Sequence, residues 1–136
     1  MTRRIVGRTF LFAAAASFFL AGWVFGQQSA TKKGLVHAFA YTAEPAATAE
    51  DFARLKQATD GMVGKIPGLK RVWTGKLLEP LDVGPNAPKR THGIVLEFED
   101  EAALKVYADH PEHKAWERAY RKVRVAGTTT FDIIVE

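Results

Sequence analysis

The chain has 136 residues and no cysteine; 47% of its residues are hydrophobic and 25% are charged. This length and composition suit one compact domain with an apolar core, and the lack of cysteine excludes disulfide scaffolds, thiol nucleophiles and cysteine-ligated zinc. The formal charge of +4 falls to +1 once Arg3, Arg4 and Arg8 are set aside, so we expect no nucleic-acid partner.

The first 26 residues are predicted to be a targeting segment and not a part of the domain. A basic stretch precedes an uncharged apolar run from Phe10 to Phe25, which is typical of an export signal and short for a membrane span. Cleavage after Gly26 is our first interpretation. Retention as an N-terminal membrane anchor is the alternative, and the adjacent pair Arg3-Arg4 also leaves a twin-arginine route open.

Cleavage of this segment and its retention as an anchor both predict export of the domain, to the periplasm or out of the cell. Residues 27–34 are then a polar linker, and residues 35–136 form the domain. The membrane is a partner only through residues 1–26, and only if they are not cleaved.

The domain alternates between the periodicities of strands and helices. The predicted elements, in chain order, are a strand over 35–41, a helix over 49–65, strands over 69–78 and 91–99, helices over 100–109 and from 111, and a strand over 128–135. A capping box at Thr48 opens the first helix, Pro111 opens the last one, and Gly127 is expected to end it. The proline-rich segment 79–90 is predicted to be an irregular connection.

This order, β-α-β-β-α-β, predicts an α+β, ferredoxin-like fold with its helices on one face of a four-stranded antiparallel sheet. We expect strands one and three to be the central pair and to run parallel to each other. The opposite face is expected to be apolar, with Val36, Ala38, Ala40, Val95 and Ile134 exposed on it. An apolar patch of this kind predicts a face-to-face homodimer.

The histidines are the candidate functional residues. His37 and His92 lie near the starts of strands one and three. The helix over 100–109 is long enough to bring His110 and His113, with Tyr107 in the turn before them, back to the same end of the sheet. We therefore expect His37, His92, His113 and Tyr107 to converge on one pocket. The expected pocket walls are Phe39, Tyr41, Phe52, Trp73, Ile94, Trp116 and Phe131.

Imidazole and phenol groups in an apolar pocket suit proton transfer next to a carbonyl, because histidine exchanges protons near neutral pH and tyrosine can bind an enolate oxygen. A three-histidine metal site is a competing interpretation, which the lack of an HExxH pattern and of an obvious carboxylate ligand disfavours. Histidines at strand starts and in Asp-His-Pro helix starts are also common structural residues. A non-catalytic protein with structural histidines therefore stays open.

Several segments resemble the stress-responsive A/B barrel (Dabb) domain family. They are Leu35-Val36-His37, residues 65–69, residues 91–98, the run Tyr107-x-x-His110-Pro111-x-His113 and Thr130-Phe131-Asp132. The resemblance covers essentially residues 34–136 and implies a ferredoxin-like protomer that forms a dimeric α+β barrel. The plant olivetolic acid cyclase, a family relative, performs a cofactor-free aldol cyclisation with a histidine base and a neighbouring tyrosine. By motif, the resemblance implies these roles for His113 and Tyr107, with His37 and His92 as supporting pocket histidines.

The sequence thus predicts an exported homodimer that binds a small apolar, carbonyl-bearing or aromatic ligand, with no cofactor and no metal. The candidate catalytic residues are His113 and Tyr107, and the candidate ligand-binding residues are His37, His92, Phe39, Tyr41, Ile94 and Trp116. If the protein is an enzyme, the chemistry is that of a lyase, cyclase or isomerase. The alternatives are a non-catalytic stress or binding protein and an oxygenase like those of other dimeric α+β barrels.

Overall fold

The computed structural model describes residues 33–135, so the predicted export segment lies outside the described residues. The elements are β1 (Leu35–Ala43), α1 (Ala49–Asp60), β2 (Leu69–Leu81), β3 (Arg90–Phe98), α2 (Glu101–Asp109), α3 (Pro111–Val123) and β4 (Arg124–Ile134). Every predicted element is present, and the ferredoxin-like α+β fold is confirmed. Of the helices within residues 33–135, none has the length and hydrophobicity that crossing a membrane requires.

The four strands form one antiparallel sheet in the order β2-β3-β1-β4. The central pair is β1 and β3, as expected, but the prediction that they run parallel is wrong: Leu35 lies opposite Phe98, and Tyr41 lies opposite His92. The crossover through α1 makes β1 and β2 parallel, and β3 lies between these two strands. Because β3 must run opposite to both, His92 is moved to the other end of the sheet from His37.

Local capping signals set the helix ends. α1 begins with a capping box in which Thr48 Oγ1 accepts from the Asp51 N–H at 3.2 Å and the Asp51 carboxylate accepts from the Thr48 N–H at 3.1 Å. The helix ends at Asp60, earlier than the predicted residue 65, and turns follow it. Gly64 in these turns has φ +82°, a conformation that a regular helix does not contain.

The core lies between the helices and the inner face of the sheet. It is built from Leu35, Phe39, Tyr41, Ile94, Leu96 and Phe98 of the sheet, packed against Leu55, Tyr107, Trp116, Tyr120 and Val123 of the helices. The buried hydroxyl of Thr59 accepts from Trp116 Nε1 and donates to the Leu55 carbonyl, both at 2.8 Å. These bonds satisfy the Thr59 hydroxyl and the Trp116 indole N–H inside the core and join α1 to α3.

Two strands extend beyond their predicted ends. β2 continues through Pro80 to Leu81, which an edge strand tolerates because its outer N–H groups have no partner to lose. β4 begins at Arg124, directly after α3, so the prediction that Gly127 ends the helix is wrong. Gly127 lies inside the strand with φ +100°, at a bulge where the pairing of β4 with β1 shifts register.

The sheet face away from the helices carries a row of apolar side chains. Trp73, Val95, Ala38 and Phe131 lie opposite one another across the four strands, and we call them the outer row. Trp73 and Phe131 are 48% and 52% exposed, so the prediction that they wall the interior pocket is wrong. Ile134 pairs with the core residue Leu35 and therefore belongs to the helix-covered face, contrary to expectation.

Candidate active site

A cavity of about 480 Å³ lies between the helices α2 and α3 and the strands β1 and β4. We call it the α3 cavity. Its apolar wall is formed by Phe39, Leu104, Ala108, Trp116 and Tyr120. Its volume falls in the range of sites that bind small organic molecules.

Three of the four residues predicted to converge meet in this cavity. The ring of Tyr107 lies between two imidazoles, with its centroid 4.1 Å from that of His113 and 6.1 Å from that of His37. Each residue comes from a different element: His37 from β1, Tyr107 from α2 and His113 from α3. Phe39 and Trp116, two of the predicted ligand-binding residues, also line the cavity.

His113 is held in one tautomer by its backbone neighbour. Its Nδ1 lies 3.2 Å from the carbonyl oxygen of Ala108. Because a carbonyl only accepts, Nδ1 carries the hydrogen, and Nε2 of the neutral ring keeps its lone pair. The ring also stacks on Trp116 at 5.5 Å. Nε2 of His113 is therefore the atom able to accept a proton.

His37 is oriented by Asp132. Its Nδ1 donates to the Asp132 carboxylate at 2.6 Å, and the two residues lie directly opposite each other in the pairing of β1 with β4. A carboxylate in this position fixes the tautomer and the ring orientation. From the sequence, Asp132 was identified only as part of the motif Thr130-Phe131-Asp132, with no predicted role in the site. The available signal was the strand register, which places it across from His37.

Tyr107 is a buried phenol. Burial raises its pKa, and the nearby Glu117 and Tyr120 act in the same direction. The hydroxyl therefore stays protonated at neutral pH and acts as a hydrogen-bond donor. A donor of this kind can stabilise an oxyanion that forms during a reaction.

His92 does not join this group, and the prediction that it converges with the other residues is wrong. It lies opposite Tyr41, whereas His37 lies opposite Leu96; four residues of strand separate the two positions by about 13 Å. The His92 ring stacks between Tyr41 and Phe52, with centroid distances of 5.6 and 5.1 Å. Burial, with a smaller effect of Lys76, lowers its pKa.

The other predicted site residues have different surroundings. Tyr41 and Phe52 line a second cavity of about 320 Å³ together with His92, between α1 and the strands β2 and β3. Ile94 is fully buried in the core. His110 caps α3, where its Nδ1 accepts from the Glu112 N–H at 3.2 Å. Of these residues, only those in the second cavity have a surface that a small molecule could contact.

The far end of the α3 cavity is cationic. The Arg124 guanidinium lies over the Tyr120 ring, 4.8 Å from its centroid, and Arg121 pairs with Glu117 at 2.7 Å. All four side chains line the cavity. Nothing in the sequence pointed to Arg124, because the segment after Val123 was not expected to begin a strand. Within residues 33–135, no three His, Asp or Glu side chains are grouped so that they could hold a metal ion.

Comparison with known proteins identifies a family and a fold. The family model of the Stress Responsive A/B Barrel Domain matches residues 35–135. A dimeric ferredoxin-like protein from Thermobifida fusca, of unknown function, is 20% identical, with a TM-score of 0.59 over 76% of this chain and 92% of that one. No curated protein matches the sequence significantly.

Two enzymes of known structure share the fold. A hydroxynitrile lyase from Passiflora edulis is 13% identical, with a TM-score of 0.60 over 76% of this chain and 94% of the lyase. A cofactor-independent oxygenase from Streptomyces nogalater is 12% identical, with a TM-score of 0.51 over 73% of this chain and 91% of the oxygenase. At these identities the likeness concerns the fold alone.

Proposed function

The chain belongs to the stress responsive A/B barrel (Dabb) domain family, and from this premise we propose that it binds a small apolar, carbonyl-bearing or aromatic compound in the α3 cavity. In this proposal His113 and Tyr107 transfer a proton next to the carbonyl, without a cofactor. The reaction class is that of a lyase, cyclase or isomerase.

The observation that carries this proposal is the pairing of a base with a donor inside an apolar wall. His113 keeps Nε2 available because Nδ1 is bound to the Ala108 carbonyl. Tyr107, 4.1 Å away between ring centroids, keeps its proton because burial raises its pKa. One group can therefore accept a proton while the other donates a hydrogen bond.

The proposed step needs no redox partner. His113 Nε2 takes the proton from the carbon next to the carbonyl. The electron pair of that C–H bond forms a carbon–carbon double bond, and the π pair of the carbonyl moves to its oxygen as an enolate. The Tyr107 hydroxyl donates a hydrogen bond to this oxygen. Return of the proton from His113 to the same carbon completes an exchange, and its return to a different carbon of a conjugated enolate completes an isomerisation. In a cyclisation, the enolate carbon attacks a second carbonyl of the same molecule, and the resulting alkoxide takes the proton from His113. The apolar wall surrounds these groups with side chains of low polarity, which strengthens their polar contacts.

The two enzymes with this fold support the proposal without transferring any residue. One is a hydroxynitrile lyase and the other a cofactor-independent oxygenase, so related folds carry catalysis in other proteins. Fold alone does not fix a reaction. The assignment of His113 and Tyr107 therefore depends on the geometry of this chain.

Homodimerisation and export complete the proposal. The outer row leaves large apolar side chains exposed on the sheet, and the similar protein from Thermobifida fusca is dimeric. A second copy that packs its own outer row against this one would cover both. The proposal that the domain is exported rests only on the sequence of residues 1–26.

Hydrogen exchange at carbon tests the chemistry. The protein is incubated with acetophenone in D2O, and the loss of the methyl proton signal is followed by NMR. We expect the protein to accelerate exchange. The substitution His113→Ala should reduce this acceleration at least about 100-fold, and Tyr107→Phe should reduce it by about the same factor.

The control is His110→Asn, which keeps an N-cap acceptor on α3 and leaves the cavity unchanged. It is expected to exchange acetophenone at the native rate. Exchange that proceeds equally in native protein and in His113→Ala would favour the non-catalytic alternative, in which the histidines are structural.

A further inference from the structure

Arg124 lines the α3 cavity and has no acidic partner among the described residues 33–135. Its Nε atom is buried and has no hydrogen-bond partner among residues 33–135. The ion pairs between described residues do not include it. Its guanidinium lies over the face of the Tyr120 ring. A charged group in such surroundings is normally paired, because desolvation is costly.

A second guanidinium in the same region also lacks an acid. Arg90 is 7% exposed, and its hydrogen bonds go to neutral hydroxyls: Nε donates to Thr129 Oγ1 and Nη1 to Thr42 Oγ1, both at 3.2 Å. Arg90 and Arg124 both lower the pKa of Tyr120 against the larger effect of burial. Two positive charges thus act on one buried region without a carboxylate to balance them.

Two other ionisable side chains of the cavity already have a partner. Arg121 pairs with Glu117, and His37 pairs with Asp132. Of the arginines that line the α3 cavity, Arg124 is therefore the one left without an acidic partner among the residues that the structure describes.

The cationic end and the imidazole end are joined by one stack of side chains along α3. The rings of His113 and Trp116 lie 5.5 Å apart, those of Trp116 and Tyr120 lie 4.8 Å apart, and Arg124 continues the stack. From residue 113 to residue 120 the helix rises about 10 Å. Thr128, whose hydroxyl bonds to that of Tyr120 at 3.0 Å, also lines the cavity near this end.

We propose that the ligand of the α3 cavity is an acid: its carboxylate binds Arg124 and the hydroxyl of Thr128, and its apolar body lies along Trp116 and Tyr120 toward His113. This inference rests on the proposed function and narrows its substrate class to apolar carbonyl compounds that carry a carboxylate. The planar guanidinium fork matches a carboxylate in shape and charge, and the bound anion would supply the balancing charge that the chain lacks there.

The experiment compares two ligands of the same shape and different charge. Binding of 3-phenylpropionate and of the neutral 3-phenylpropanamide to the full chain is measured by isothermal titration calorimetry at pH 7. We expect the acid to bind about tenfold tighter or more, since hydrogen bonds to charged groups are the strong ones. Arg124→Gln is expected to remove this preference and to leave the affinity for the amide unchanged.

Two further variants test whether the position and the shape of the charged group matter. Arg118→Gln removes an equal charge from an exposed position of α3 and should keep the native preference. Arg124→Lys keeps the positive charge without the planar guanidinium group and should keep part of the preference for the acid over the amide. If Arg124→Gln proves unstable in thermal melting, the comparison of acid with amide in native protein and in Arg124→Lys decides the question.

Equal binding of acid and amide by native protein would overturn the inference, as would a preference that survives Arg124→Gln. Either result leaves the proposed function standing, because the amide still occupies the cavity. Failure of both ligands to bind also overturns the inference, and the exchange of acetophenone then reports separately on His113 and Tyr107.

Discussion

Each histidine of the domain has a distinct partner, and the partner decides what the ring can do. His113 and His37 both have Nδ1 committed to an oxygen, of the Ala108 carbonyl and the Asp132 carboxylate respectively. His110 has Nδ1 committed to a helix cap. His92 is held by stacking between aromatic rings, and its Nδ1 lies 3.0 Å from Thr91 Oγ1. Only the first two imidazoles share a cavity with Tyr107.

The surroundings of His92 predict an acid-dependent loss of stability. Its pKa is lowered in the folded state, mainly by burial, and returns to about 6.5 in the unfolded chain. As the pH falls through that value, the unfolded chain binds a proton that the folded state binds more weakly. The free energy of unfolding should therefore decrease as the pH falls from 7 to 5.

The variant His92→Phe keeps a ring between Tyr41 and Phe52 and removes this titration. Urea denaturation at pH 8, where His92 is neutral in both states, measures the cost of the substitution itself. Between pH 7 and pH 5 the variant is expected to lose less stability than native protein. Parallel stability curves for the two proteins would contradict this account of His92.

The sequence predicted some site residues well and missed others for a physical reason. Tyr107 and His113 are close in sequence, and the return of α2 brings them to one end of the sheet whatever the strand register. Asp132 reaches His37 only through the pairing of β4 with β1, and Arg124 reaches the cavity only because β4 begins directly after α3. Their positions depend on long-range register, which local periodicity does not determine.

At the scale of elements, the helix starts were predicted correctly, because their signals lie in residues that are adjacent in sequence. The Thr48 capping box and Pro111 start their helices as expected. Gly127 was predicted to end the last helix. Because β4 pairs with β1 from Arg124 onward, the strand begins before the glycine, which instead provides the positive φ of a bulge. A side chain there would also approach the Arg90 guanidinium, 3.3 Å from an added Cβ.

The direction of β3 has the largest consequence for the site. The expectation of parallel central strands placed His37 and His92 together at the strand starts. In the antiparallel sheet, equal positions along β1 and β3 lie at opposite ends. Two aromatic cavities on the helix-covered face are therefore separated along the strands, one beneath α3 with His37 and one beside α1 with His92.

At the scale of the whole molecule, the outer row predicts how two copies associate. Its large side chains, Trp73 and Phe131, flank Val95 and Ala38 in a line across all four strands. Phe131→Glu places a charge in the outer row, at its end on the edge strand β4. We expect the dissociation constant of the dimer, measured by sedimentation velocity, to rise about 100-fold or more.

The matched control is Val106→Glu, which introduces the same charge at a half-exposed apolar position on α2, away from the outer face. It should leave the sedimentation of the dimer unchanged. A native protein that sediments as a monomer, or a Phe131→Glu variant that stays dimeric, would show that the outer row is not the interface.

The central claim is that His37, Tyr107 and His113 belong to one ligand cavity from which His92 is separate. The most direct measurement is an NMR spectrum of the histidine rings, recorded as acetophenone is added, with each ring assigned by single substitution. The ring signals of His37 and His113 are predicted to move together with ligand concentration, while those of His92 and His110 stay in place. A shift of the His92 ring signals without a shift of those of His113, or no shift of any of the four rings, would contradict the claim.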